Sequence, residues 1–311
     1  MNLKGHYWTL RPRIREMMGC GPKAPEASAW THQVKATDGR SCTLSGALRE
    51  PDEAWGMAVL VHGLGGSLES GYMQAGAVTM ERLGLACLRL NLRGADLSGD
   101  GFYHAGLTSD LEAVIDSPAV RRHKQVYLLG YSLGGHLVLR YLGEDSRPRV
   151  SGAISVCAPL ELSVAARHLD TPRLMVYRRH VMSGLQAMYA AYRRRHEGPV
   201  TVEQARRIKT IEEWDEQVVA PHHGFESAQD YWRRNSAANL IGDIRTPCVG
   251  IWGALDPMIP AHLVRPYIPR NPRLSTEWIR DGGHVGFPTA GSVSAEELGM
   301  QALLKGVGAT A

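Results

Sequence analysis

The sequence predicts an α/β chain, with a mostly parallel central sheet, helices on both faces and a helical insertion between two strands. Three observations carry this. Short, nearly continuous apolar runs recur along the chain, helical-looking segments separate them, and residues from about 161 to 240 hold no strand-like run. Runs that are apolar throughout suit strands buried on both faces of a parallel sheet. Their alternation with helices implies right-handed crossovers.

Taken in order, residues 1–30 read as an N-terminal extension without clear periodicity, ending in the turn-rich "GCGPKAPEAS" and wrapping over a domain of residues 31–311. "HQVKATDGRSCTLSGAL" alternates on either side of Asp38-Gly39, a hairpin signal. The strand-like runs are "MAVLVH" (Met57–His62), "LACLRLN" (Leu85–Asn91), "QVYLLG" (Gln125–Gly130), "GAISVCA" (Gly152–Ala158), "CVGIWG" (Cys248–Gly253) and "LSTEWI" (Leu274–Ile279). Helical pieces are expected near Gly71–Leu83, Ser109–Asp116, Leu133–Leu142 and Ala261–Pro266. The insertion, with "RLMVYRRHVMSGLQAMYAAYRRRHEG", reads as a helical cap, and its Arg178, Arg179, Arg193, Arg194 and Arg195 as a solvated helix face.

Composition narrows the function classes. The 311 residues are 44% hydrophobic and 21% charged with a formal charge of +4, ordinary for a globular chain and short of a nucleic-acid signature. No apolar run reaches the ~18 residues of a membrane span, and the N-terminus lacks the apolar stretch of a secretory signal. Cys20, Cys42, Cys87, Cys157 and Cys248 are scattered and form no C-x-x-C, so reduced core thiols and a cytoplasmic setting are expected. The chain has no H-E-x-x-H and no clustered H-x-H, so no metal site is expected. "HGLGGS" lacks dinucleotide-binding spacing, and no cofactor is expected.

The chemistry concentrates around Gly130-Tyr131-Ser132-Leu133-Gly134-Gly135. A serine between glycines, after a strand and before a helix, is the context of a nucleophile elbow. The tight turn puts Ser132 in a strained conformation that small neighbours permit, and it aims the N–H of Leu133 at a developing oxyanion. A second donor is expected at Leu64 in "HGLGGS", where His62 braces the loop. A hydroxyl needs a base, and the base needs an orienting carboxylate. The order Ser…Asp…His places the acid at Asp256 in "ALDPMIP" and the base at His284 in "RDGGHVGF", each after a late strand. Asp281 is the main rival acid; His168, His222 and His223 follow no strand-like run.

With these residues in hand, the chain resembles the α/β-hydrolase superfamily, specifically the YheT-like group related to abhydrolase-domain esterases and lipases. The resemblance rests on "HGLGGSLESGY", "NLRGAD…GFYHAGLTSDL", "GYSLGGH", "EEWDE…GFESAQDYW", "ALDPMIP" and "DGGHVGF". It implies an α/β-hydrolase fold, Ser132 as nucleophile, Asp256 as acid, His284 as base and main-chain oxyanion donors at Leu64 and Leu133. It also implies a rim-shaping role for "YHAG" (Tyr103–Gly106). Two positions depart from the family pattern: His136, where Asn is usual, and Ala95, where Cys is frequent. The expected activity is hydrolysis of short- to medium-chain carboxylic esters through an acyl-enzyme. Acyl transfer by the same triad and a non-catalytic binding module are the alternatives, and peripheral membrane contact by the basic cap is compatible with the sequence.

Overall fold

A computed structural model describes residues 2–36, 39–144, 148–288 and 293–308. Eight strands form one sheet: β1 (Ser28–Lys35), β2 (Ser41–Arg49), β3 (Met57–Val61), β4 (Ala86–Asn91), β5 (Val126–Tyr131), β6 (Gly152–Val156), β7 (Cys248–Gly253) and β8 (Leu274–Ile279). Their order is β1-β2-β4-β3-β5-β6-β7-β8, antiparallel at β1/β2 and β2/β4 and parallel from β4 onward. β1 and β2 pair in register from Ser28↔Leu48 to Lys35↔Ser41, as a hairpin requires; Asp38 of the expected turn lies outside the described residues.

Strands β3 to β7 are buried at every position, which explains their continuous apolar sequence. Adjacent residues feed opposite cores. Leu128 joins Val59, Val61 and Leu90 on one face, while Leu129 joins Leu60, Ile154 and Ile251 on the other. The first face is covered by the helices Ser109–Asp116 and Leu133–Glu144, the second by Gly71–Arg82 and the C-terminal helix Ala295–Gly308. β8 differs from the buried strand its sequence suggested. It is the sheet edge, and Ser275, Thr276 and Glu277 are exposed.

Between β6 and β7 the chain is helical, with Leu162–Leu169, Met175–Arg193 and Ala228–Asn235 as its longer pieces. Its arginines are not one solvated face. Arg178 donates to the carbonyls of Leu169, Thr171 and Lys209, Arg193 to that of His196, and Arg195 reaches Asp100, while Arg179 and Arg194 are exposed. The first thirty residues also hold a helix the sequence did not suggest, Leu3–Met17, whose N-terminus is capped by the Asn2 side chain. Pro12 inside it and the absence of buried large side chains hide its period.

Candidate active site

The site forms at the carboxyl edge of the parallel strands, where an open α/β sheet gathers its functional loops. Ser132 occupies the single step between β5 and the following helix, with φ of +51°. A left-handed conformation at a non-glycine residue costs on the order of 1–3 kcal/mol, and the surroundings enforce it. A Cβ on Gly130 would lie 2.3 Å from the Gly134 carbonyl oxygen, and one on Gly134 would lie 2.2 Å from that of Val61. The two glycines therefore let the elbow close on itself and on β3.

The structure brings Ser132, His284 and Asp256 together. His284 Nε2 is 2.9 Å from Ser132 Oγ, and Nδ1 is 2.7 Å from Asp256 Oδ2. Asp256 and His284 are both buried. Asp256 Oδ1 accepts the N–H groups of Met258 and Ile259 at 2.8 and 2.9 Å, which fixes the carboxylate. An ionised carboxylate only accepts, so it sets the imidazole as the Nδ1–H tautomer. Nε2 then has its lone pair free to take the Ser132 proton. The rival Asp281 lies elsewhere, bound to Lys4 Nζ at 2.8 Å, and His168 faces the Pro257 carbonyl.

The loop after β3 is braced so that one donor stays open. The N–H of Gly63 goes to the Tyr72 hydroxyl, Gly65 to the Tyr103 hydroxyl, Gly66 to the Gly63 carbonyl, Ser67 to Ser70 and Leu68 to Asn91. Among the described residues the N–H groups of Leu64 and Leu133 have no protein acceptor. His62 holds the loop from beneath: its Nε2 accepts from Leu92 N, so Nδ1 carries the proton and donates to the Gly63 carbonyl. Burial lowers its pKa to about 4 and keeps it neutral.

The loops that carry Asp256 and His284 have a neighbour in Cys157, which follows β6 with φ of +52°. Its sulfur accepts from Val285 N at 3.4 Å, and burial, with Asp256 nearby, pushes its thiol pKa well above the ordinary value. Ligand atoms of Cys157, Asp256 and His284 lie within 4.8 Å of one another. Those of the last two already bond each other, so a cation would have to separate them. His136 sits between the Pro159 and Asn235 carbonyls, each 2.9 Å from a ring nitrogen, tying the helix Leu133–Glu144 to the helical insertion.

Sequence reasoning missed one supporting residue entirely. Thr9, on the N-terminal helix, accepts the main-chain N–H of His284 at 2.9 Å and donates to the Gly5 carbonyl at 2.8 Å. The helix is seated by close backbone approach. A Cβ on Gly5 would lie 1.9 Å from the Leu255 carbonyl oxygen, and one on Gly286 would lie 2.1 Å from that of Trp8. Trp8 is four residues before Pro12, which has no N–H to offer its carbonyl. No local motif marks Thr9, because its partner is 275 residues away.

A cavity of about 660 Å³ opens over Ser132, lined mainly by apolar residues from the N-terminal helix, the loop after β3 and the helical insertion. Its size is that of a small-molecule site. Ala95 and His104 stand on its wall, where the departure at Ala95 can bear on substrate fit. Among the described residues no helix is long and apolar enough to cross a membrane.

A family model described as alpha/beta hydrolase fold matches residues 59–290. The chain is 28% identical over 240 residues to a putative esterase, YheT, of Escherichia coli, covering 74% of this chain and 69% of that protein. It is 28% identical over 254 residues to a monoacylglycerol lipase of Saccharomyces cerevisiae, covering 76% of this chain and 56% of the yeast protein. Among solved structures, Est1E from Butyrivibrio proteoclasticus superposes with a TM-score of 0.54 at 14% identity, over 89% of this chain and 97% of that one. At that identity the likeness concerns the fold alone.

Proposed function

The chain belongs to the α/β-hydrolase fold family, and from that membership we propose that it is a carboxylic-ester hydrolase working through Ser132, His284 and Asp256. The observation that carries the reading is the unbroken hydrogen-bonded line from Ser132 Oγ through His284 to Asp256, beside two unengaged N–H groups. The names of the bacterial and yeast relatives support it.

Ser132 Oγ attacks the ester carbonyl as His284 Nε2 takes its proton, and Asp256 stabilises the imidazolium. The N–H groups of Leu64 and Leu133 stabilise the oxyanion, an interaction worth ~3 kcal/mol of barrier per donor in comparable sites. Collapse returns the proton to the departing alcohol and leaves an acyl-serine. Water, deprotonated by the same histidine, then releases the acid. The insertion of residues 161–240 acts as the cap that sets acyl-chain fit, with short- to medium-chain esters as substrates. A cytoplasmic setting belongs to the same reading, supported by five free cysteines, four of them buried.

The test compares wild type with Ser132→Ala on p-nitrophenyl acetate, butyrate, octanoate and palmitate. Turnover is expected to fall at least ~10⁴-fold in the variant, with the wild type preferring butyrate and octanoate. Equal turnover by the two proteins would remove the nucleophile assignment.

A further inference from the structure

We infer that Asp215 is a specificity-determining residue: it reads a hydroxyl group that the substrate carries away from the ester bond. This rests on the ester-hydrolase reading above and narrows it to a class of substrate.

Asp215 is a carboxylate in the wall of an otherwise mainly apolar cavity, the cavity that also holds Ser132. The residue is only 8% exposed. One oxygen, Oδ2, accepts the indole N–H of Trp232 at 2.7 Å. Among the described residues the other oxygen has no donor, yet it is not sealed in the protein interior, and Asp215 lines the cavity. Among the described residues no cation is paired with it; the charged group that acts on it is another carboxylate, Asp170.

A purely structural role does not account for this arrangement. Holding the Trp232 indole needs one acceptor, which a neutral amide or hydroxyl supplies without burying a charge. A carboxyl group with an open second oxygen costs more than that unless something arrives to use it. The backbone here is also special: Asp215–Val219 forms one turn of π-helix, a rare form frequently found at functional sites.

The partner is best identified as a hydroxyl rather than an ammonium. Burial raises the pKa of Asp215 to about 7, so both forms are present near neutrality. A hydroxyl can donate to the carboxylate and accept from the acid, whereas an ammonium can pair only with the carboxylate. The neighbouring wall is polar in the same sense. Tyr231 accepts the Ala105 N–H through its phenol oxygen, and His104 accepts the Gly106 N–H at Nδ1, which leaves Nε2 carrying a proton. Both residues line the cavity.

The experiment measures kcat/KM for two matched ester pairs with wild type, Asp215→Asn and Asp215→Leu. One pair is p-nitrophenyl octanoate against p-nitrophenyl 8-hydroxyoctanoate; the other is propyl octanoate against glyceryl monooctanoate. p-Nitrophenyl 8-aminooctanoate serves as the cationic comparison. Wild type is expected to favour the hydroxylated member of at least one pair by ~10-fold or more. Asp215→Leu abolishes that preference, and Asp215→Asn, which keeps a bond to Trp232 and a polar group toward the cavity, retains part of it. A merely structural residue would lower both members of each pair in proportion. Unchanged ratios in both pairs, or a preference for the amine over the hydroxyl, would overturn the inference while leaving ester hydrolysis intact. If no ester shows Ser132-dependent turnover, the hydrolase reading fails by itself. Calorimetry of octane-1,8-diol against octan-1-ol on wild type and Asp215→Leu then decides. A diol preference lost in the variant supports the role, and no preference refutes it.

Discussion

The Ser132 side and the His284 side of the site are held by different means. Ser132 is fixed by its own neighbours, because Gly130, Gly134 and the end of β3 leave one way for the turn to close. Its main-chain N–H is taken by Val156 on the adjacent strand, so the sheet itself holds the serine. His284 stands on a loop beyond the edge strand β8 and has no such frame. Its main-chain N–H goes to a threonine side chain on a helix from the opposite end of the sequence. The contrast teaches that one half of a two-part site can be local and covered by a motif, while the other half is built from distant chain.

Three substitutions break or sharpen this comparison. The largest effect is expected from Gly134→Ala, which puts a methyl group 2.2 Å from the Val61 carbonyl oxygen, where only backbone can yield. Overpacking of that kind moves the elbow relative to the oxyanion loop, and kcat/KM should fall ~100-fold or more with the secondary structure retained in circular dichroism. Near-wild-type turnover would show that the elbow is not held as described.

The helical insertion supplies a third anchorage to set beside these two, and Asp215→Asn tests it through stability. Asp215 has a folded-state pKa raised to about 7, above its unfolded value, so the folded state binds this proton more tightly. Its ionisation therefore weakens the fold progressively as pH rises from about 4 to about 7. The amide variant lacks that loss. Its advantage in unfolding free energy, read from denaturant melts at each pH, should grow over this range and level off above it, reaching on the order of a few kcal/mol. An advantage that is constant with pH would contradict the burial of an ionisable carboxyl there.

The smallest effect is expected at Thr9. Removing one acceptor from the His284 main chain in Thr9→Ala costs about 1 kcal/mol of positioning, which lowers kcat by roughly 5- to 10-fold with little change in KM. Thr9→Ser, which keeps the hydroxyl, should restore most of it. If alanine and serine behave alike, the helix contributes only packing.

Much of this was open to reading in the sequence, for physical reasons that also mark the limits. The strands β3 to β7 announce themselves because burial on both faces demands unbroken apolar runs, and Ser132, Asp256 and His284 follow from strand ends and chain order. β8 misled, since "LSTEWI" has apolar ends, yet its centre faces solvent at the sheet edge. Residues 3–17 escaped because Pro12 and four scattered basic side chains blur any helical stripe, and the helix is held by glycine-mediated backbone contact rather than by a buried apolar face. Thr9 and the second oxygen of Asp215 could not be found at all without coordinates. Their meaning lies in a partner, or an open space, that no local pattern encodes.

The seat of the N-terminal helix has a consequence for how competence is reached. During synthesis this segment leaves the ribosome well before Leu255, Gly283 and Gly286, the groups it rests against, which follow it by more than 200 residues. A nascent chain could thus assemble its sheet and still lack a steady His284. Closing so large a loop comes late and slowly in folding, so activity should return after the sheet has formed when the denatured chain is renatured.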